Sequence, residues 1–170
     1  NDIKNFFLKQ INNKKIRALV TAGPTNEYLD PVRFITNRSS GKQGYEIANS
    51  LSRRGFDTTL ISGPTNLSIN DDIKLIKVET AEEMFQATQK NLPFDIAILS
   101  AAVSDFKIVQ KSKSKIKKDN NLTINLEKNI DILNFISNHN SMRPKLVIGF
   151  AAETNNLEEN AKEKLFNKNC

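Results

Sequence analysis

The chain has 170 residues, 38% of them hydrophobic and 26% charged. This suits one folded domain and excludes a disordered chain, and no apolar run approaches the roughly 18 residues that span a bilayer. The only cysteine is Cys170 and the only histidine is His139, so one chain has no disulfide framework and little on which to build a zinc site or a Ser-His-Asp triad. The formal net charge of +6 is concentrated. Lys107, Lys111, Lys113, Lys115, Lys117 and Lys118 fall in one stretch without an acid, and the rest of the chain is neutral on paper. Such a run reads as a contact for nucleic acid or another polyanion. Its lack of interleaved aromatics speaks against a platform for single-stranded nucleic acid.

Residues 1–15 are polar with a few large apolar side chains and read as a linker or the end of a preceding domain. Phe6-Phe7-Leu8 is too short for the apolar centre of a secretory signal. There is no Met at the start and no closing element after Asn169-Cys170, so a longer parent polypeptide is expected. Arg17 to Ala22 is an apolar run closed by Gly23-Pro24, a strand then a turn. Residues 41–54 carry Tyr45, Ile47, Ala48 and Leu51 at helical spacing, with Gly55 as the C′ residue. Asp57 to Ile61 is the next strand, closed by Gly63-Pro64, and Ile73 to Val78 a third. Thr80 with Glu83 is a capping box that opens a helix to about Lys90. Asp95 to Ala101 and Leu146 to Phe150 are continuous apolar runs, as expected for strands buried on both faces. Leu157, Ala161, Lys164 and Leu165 suggest a terminal helix.

Strands alternating with helices predict an α/β fold over residues 16–170. The expected architecture is a doubly wound, mostly parallel Rossmann-like sheet with helices on both faces. The lysine stretch and Leu122 to Leu126 both alternate with period two around Asp119-Asn120-Asn121. They predict a β-ribbon or flap inserted around 107–128.

Ligands of open α/β sheets bind beyond the carboxyl ends of the strands, and three polar segments fall there. Thr36-Asn37-Arg38-Ser39-Ser40-Gly41-Lys42 precedes a helix. Small residues there leave backbone N–H groups open to a phosphate or carboxylate; the same residues also read as an ordinary capped loop. It is not a P-loop, which needs Gly at position 36 and Ser or Thr at position 43; Thr36 and Gln43 stand there. In Ser100-Ala101-Ala102-Val103-Ser104-Asp105, small residues allow close approach of a flat ligand. Asp105 there suits ribose hydroxyls, a metal or a simple turn. After the last strand, Phe150 suits stacking on a base or packing in the core. Lys164 and Lys168 share a helix face, for a ligand or for solvent. The lysine stretch reads as a solvated loop or as a cover over a triphosphate.

In this order, TAGPTNEYLDPVRFITNRSSGKQG, SGPT, LSAAVSDF, KIKK, KNIDI and GFAAETN resemble the phosphopantothenate–cysteine ligases (phosphopantothenoylcysteine synthetases) of bacterial coenzyme A biosynthesis, over about residues 16–170. The resemblance implies a ligase that joins 4′-phosphopantothenate to L-cysteine. The substrate carboxylate attacks the α-phosphate of CTP and pyrophosphate leaves. The cysteine amine then attacks the acyl-cytidylate and releases CMP, with Mg²⁺ screening the triphosphate. It further implies that Asn37 holds the acyl-cytidylate and that Lys115 serves the cysteine-coupling step and touches the nucleotide. Ala101, Asp105, Asn129, Ile130, Asp131, Ile132, Phe150, Lys164 and Lys168 are the other expected nucleotide contacts. Gly23, Ser39, Ser40 and Gly41 are expected around the phosphate and the intermediate. The metal ligands are not assigned.

Ile130 stands where the family pattern Asn-Pro-Asp-Ile has proline, which loosens that turn while keeping Asn129 and Asp131. Family members continue past the point equivalent to Cys170, with a further strand and dimer-forming elements. A cytoplasmic homodimer is expected, fused to an N-terminal flavin-dependent decarboxylase domain, with no nucleic acid or membrane partner. The alternatives are a catalytically incomplete CTP-binding module and, less in keeping with the confined charge, a basic nucleic-acid-binding domain.

Overall fold

The computed structural model describes residues 15–118, 121–152 and 155–170. The linker expected over residues 1–15 lies outside the described residues except for its last position. So do Asp119 and Asn120 of the expected ribbon turn, and Glu153 and Thr154 of the GFAAETN motif. In chain order the elements are β1 (Arg17–Ala22), β2 (Asn26–Tyr28), β3 (Phe34–Thr36), α1 (Lys42–Arg53), β4 (Asp57–Ser62) and β5 (Lys74–Lys77). Then follow α2 (Ala81–Asn91), β6 (Ile96–Leu99), β7 (Phe106–Ile108), β8 (Leu126–Lys128), α3 (Ile132–Ser137), β9 (Leu146–Gly149) and α4 (Leu157–Lys168).

The apolar runs become one five-stranded sheet in the order β5-β4-β1-β6-β9, with every pair parallel. Period-two alternation sends neighbouring residues to opposite faces. Val20, Leu60 and Ile98 pack with Tyr45 and Ala48 of α1. Leu19, Ile61, Ala97 and Val147 pack with Met84 of α2 and Ile132 and Ile136 of α3. Each large side chain so buried contributes about 1.5–3 kcal/mol by leaving water, so a sheet apolar on both faces needs helices on both. This is the expected doubly wound fold.

Local signals set the helix ends. Thr80 Oγ1 accepts the Glu83 N–H at 3.2 Å, and the Glu83 carboxylate accepts the Thr80 N–H at 3.4 Å. Gly55 closes α1: its N–H donates to Ser52 O at 2.8 Å and the Phe56 N–H to Leu51 O at 3.2 Å, which occupies carbonyls the helix leaves open.

The inserted ribbon is present and shorter than the alternation predicts. β7 and β8 pair antiparallel, Phe106 opposite Lys128 and Ile108 opposite Leu126. Residues 111–118 form no strand. Alternating Lys with Ser offers no apolar face to bury, so nothing offsets the entropy of ordering it as a strand. Two elements have no counterpart in the sequence reading, the β2–β3 hairpin and the six-residue α3. Among the described residues no helix is long and apolar enough to cross a membrane.

Candidate functional site

Chain direction reverses its progress across the sheet between β1 and β6, the point where such folds open a crevice. A cavity of about 680 Å³ lies there, beyond the strand ends marked by Thr21 and Leu99. Three segments far apart in sequence meet at it: Asn37 with Arg38 after the β2–β3 hairpin, Ala101 to Phe106 after β6, and Lys128 to Leu133 between ribbon and α3. Phe150, Lys164 and Lys168 complete the wall.

The loop after β6 is held from both sides by amides. Asn37 Nδ2 donates to Val103 O and Asn129 Nδ2 to Ser104 O, each at 2.9 Å. Beneath them the Ser104 N–H donates to Thr25 Oγ1 at 2.9 Å, and Ala102 bridges to Pro24 in continuation of the sheet. Asn37 and Asn129 therefore each commit one amide N–H to shaping the loop, and each amide has a second N–H and an oxygen besides. The Asp105 backbone carbonyl accepts the Asn129 N–H at 2.8 Å, which fixes Asp105 on the cavity wall. Phe150 is 42% exposed, so its ring belongs to the rim rather than to the core.

Charge on the wall is mainly positive, with Arg38, Lys128, Lys164 and Lys168 facing Asp105 and Asp131. Lys164 Nζ donates to Phe150 O at 3.4 Å, and Lys168 forms an ion pair with Asp131. Burial works to raise the Asp131 pKa. The bond from Lys168, the Asn134 N–H and the charges of Lys168 and Lys164 outweigh it and hold the carboxyl below its ordinary value. With Asp131 engaged, Asp105 remains against Arg38, Lys128 and Lys164, and an anionic ligand is favoured. Among the described residues no cluster of three or more His, Cys, Asp or Glu forms a metal cage. A Mg²⁺ carried by phosphates needs only one or two protein carboxylates, and Asp105 fits that requirement.

The cavity wall thus brings together Asn37, Ala101, Asp105, Phe150, Lys164, Lys168 and the turn from Asn129 to Ile132, all expected from sequence. It does not include Lys115, Gly23, Ser39, Ser40 or Gly41. The two glycines serve a close approach instead. A Cβ on Gly41 would come within 2.7 Å of Thr65 Cγ2, one on Gly23 within 3.0 Å of the same atom, and both have φ near +75°. Ser39 Oγ accepts the Gly41 N–H at 3.3 Å and Ser40 Oγ the Lys42 N–H at 3.5 Å, at the start of α1. Arg38 and Lys128 are cavity residues that the sequence reading did not single out. Both adjoin residues that it did, and neither carried a spacing signal of its own.

The lysine stretch does not line the cavity either. It docks on the turn of the β2–β3 hairpin through Asp30, whose side chain is fully buried. Asp30 Oδ1 accepts the Val32 and Arg33 N–H groups at 2.8 Å each; Oδ2 accepts Arg33 Nη1 at 2.8 Å and the Ile116 N–H at 3.1 Å. Arg33 Nη1 also donates to Ile116 O at 3.2 Å. Burial works to raise the Asp30 pKa, but the Ile116, Val32 and Arg33 N–H groups and the Arg33 charge outweigh it and lower it.

Asp30→Asn keeps an oxygen for the turn and puts an amide nitrogen against two donors. It is expected to lower the melting temperature by about 5–10 °C at neutral pH and to speed tryptic cleavage at Lys115 and Lys117. A folded pKa below the ordinary 3.8 means that the carboxylate stabilises the fold above about that pH. This stabilisation fades as pH falls through the folded value. Melts across pH should therefore show the wild-type advantage narrowing on acidification; a pH-independent gap would contradict it.

Fold and wall together define a doubly wound α/β domain with a cationic cleft at its switch point. The chain belongs to the family described as the DNA/pantothenate metabolism flavoprotein C-terminal domain, whose model matches residues 13–170. It is 40% identical over 169 residues to the coenzyme A biosynthesis bifunctional protein CoaBC of Haemophilus influenzae, covering 98% of this chain and 42% of that protein. With the Escherichia coli K12 protein of the same name it shares 44% identity over 161 residues, 92% of this chain and 39% of the relative. The chain thus spans about two fifths of the length of these curated relatives. The crystal structure of the C-terminal domain of a CoaBC protein matches with a TM-score of 0.79 and 41% identity, over 91% of this chain and 74% of the other.

Proposed function

We propose that this chain carries the ligase activity that joins 4′-phosphopantothenate to L-cysteine in coenzyme A biosynthesis, with CTP as co-substrate. The observation that carries this reading is the cleft at the β1/β6 switch point, where Arg38, Lys128, Lys164 and Lys168 surround Asn37 and Asp105. The names of the relatives, which are coenzyme A biosynthesis proteins, support the pathway. CTP rests on the family resemblance of the motifs.

The chemistry needs positioning and charge more than a nucleophilic side chain. The cations neutralise the triphosphate, Asp105 meets the ribose hydroxyls and Phe150 lies beside the base. A carboxylate oxygen of phosphopantothenate attacks the α-phosphorus, the bond to the β-phosphate breaks and pyrophosphate leaves. Asn37, fixed on Val103 O, offers its amide to the acyl-cytidylate. The cysteine amine then attacks the acyl carbon, loses a proton, and the C–O bond breaks to release CMP. Lys115 supplies positive charge in this second half. Mg²⁺ carried by the triphosphate would screen phosphate charge.

The same reading includes a cytoplasmic homodimer and fusion to an N-terminal flavin-dependent decarboxylase domain. Exposed Val32, Phe34 and Ile35 on the β2–β3 hairpin and Leu122, Ile124 and Leu126 near the ribbon supply an apolar surface for a second copy.

The test is pyrophosphate release by the full-length protein with phosphopantothenate and Mg²⁺. Release that requires phosphopantothenate and prefers CTP to ATP is expected. CTP binding without release would favour the binding-module alternative.

A further inference from the structure

A carboxylate among cations that face a triphosphate is out of place, because close approach to phosphate is a like-charge contact. Asp131 is such a carboxylate, and the family resemblance puts it among the expected nucleotide contacts. Both of its oxygens are already used. Oδ1 accepts the Asn134 N–H at 2.8 Å and caps α3. Oδ2 accepts Lys168 Nζ from α4. The end of α4 is tied to α3 by more than this pair. Asn169 Nδ2 donates to Ser137 O at 3.2 Å, and Arg143 bridges the two by donating Nε to Ser137 O at 2.7 Å and Nη2 to Asn169 O at 2.8 Å. The backbone of Lys168 is therefore fixed, and Asp131 decides where its ammonium sits.

We propose that Asp131 is a positioning residue, whose carboxylate holds the Lys168 ammonium at the cavity wall so that Lys168, and not Asp131, meets the anionic group of the ligand. The proposal rests on the nucleotide-site reading above. An ammonium has three donors; one goes to Asp131 and two remain for phosphate oxygens. A lysine already tethered has less rotamer freedom to lose when it binds.

The test is a cycle of substitutions in the full-length protein, read by calorimetric titration with Mg²⁺ and CTP. The four proteins are unsubstituted, Asp131→Asn, Lys168→Met and the double variant. Asparagine is as good an N-cap as aspartate, so α3 is kept, and thermal melts verify it. Asp131→Asn should weaken CTP binding about fivefold when Lys168 is present and leave it unchanged in the Lys168→Met background. An equal loss in both backgrounds means direct contact with the ligand and overturns the proposal. So does unchanged or tighter binding when Lys168 is present. If the unsubstituted protein binds no CTP, the nucleotide-site reading falls and this proposal with it; binding with additive substitutions removes this proposal alone.

Discussion

Asn37→Asp is expected to lower kcat/KM for pyrophosphate release about 100-fold, the scale of losing one preorganised donor to developing charge. Two effects act together. The amide that donates to Val103 O at 2.9 Å is replaced by an oxygen that repels that carbonyl, so the loop carrying Asp105 loses one of its two side-chain amide clamps. A negative charge also enters a mainly cationic wall, which in the proposed function meets the phosphates. Asn37→Ala removes the hydrogen bond without adding charge and should cost clearly less. Steady-state kinetics on the two variants separates the terms. Equal losses would remove the electrostatic part, and unchanged turnover in both would remove Asn37 from the reaction.

Lys115→Gln is expected to leave the first-turnover release of pyrophosphate, one per site, near its normal rate and to cut cysteine-dependent CMP release about 100-fold or more. Glutamine keeps much of the length and polarity of the side chain and removes its charge. Lys115 is exposed, while the next residue is clamped by Asp30 and Arg33; the backbone is held and the charge is free to act. Lys115 is off the cavity wall, so a selective loss in the second half-reaction would be direct evidence that this segment reaches the reacting atoms. Following pyrophosphate and CMP in the same reaction gives the answer, and full rates in both halves would strike Lys115 from the mechanism.

Several features were legible because their causes are local. The capping box of Thr80 and Glu83 needs only four consecutive residues, and α1 ends at Gly55 through bonds from the Gly55 N–H to Ser52 O and the Phe56 N–H to Leu51 O. The strands were legible because a run apolar on both faces has few other uses. The lysine stretch misled because alternation signals a strand only where one face is apolar. Here the alternate positions are Ser112, Ser114 and Ile116; Ile116 is held by a buried carboxylate 86 residues away and the Ser112 N–H by Leu29 O.

The sequence by itself determined the doubly wound sheet and, with the family resemblance, half of the residues that line the cleft. The sheet follows from hydrophobic periodicity and helix caps, and the cleft residues from motifs at strand ends and the resemblance they carry, all short-range properties of the chain. Tertiary structure alone decided which charges face one another. It sent the lysine run that carries the net charge of +6 to the hairpin turn. It put Arg38 and Lys128 on the wall in its place, and it set Asp131 against Lys168. Ion pairs and side-chain hydrogen bonds between distant segments depend on how elements pack, and no spacing along the chain encodes that distance.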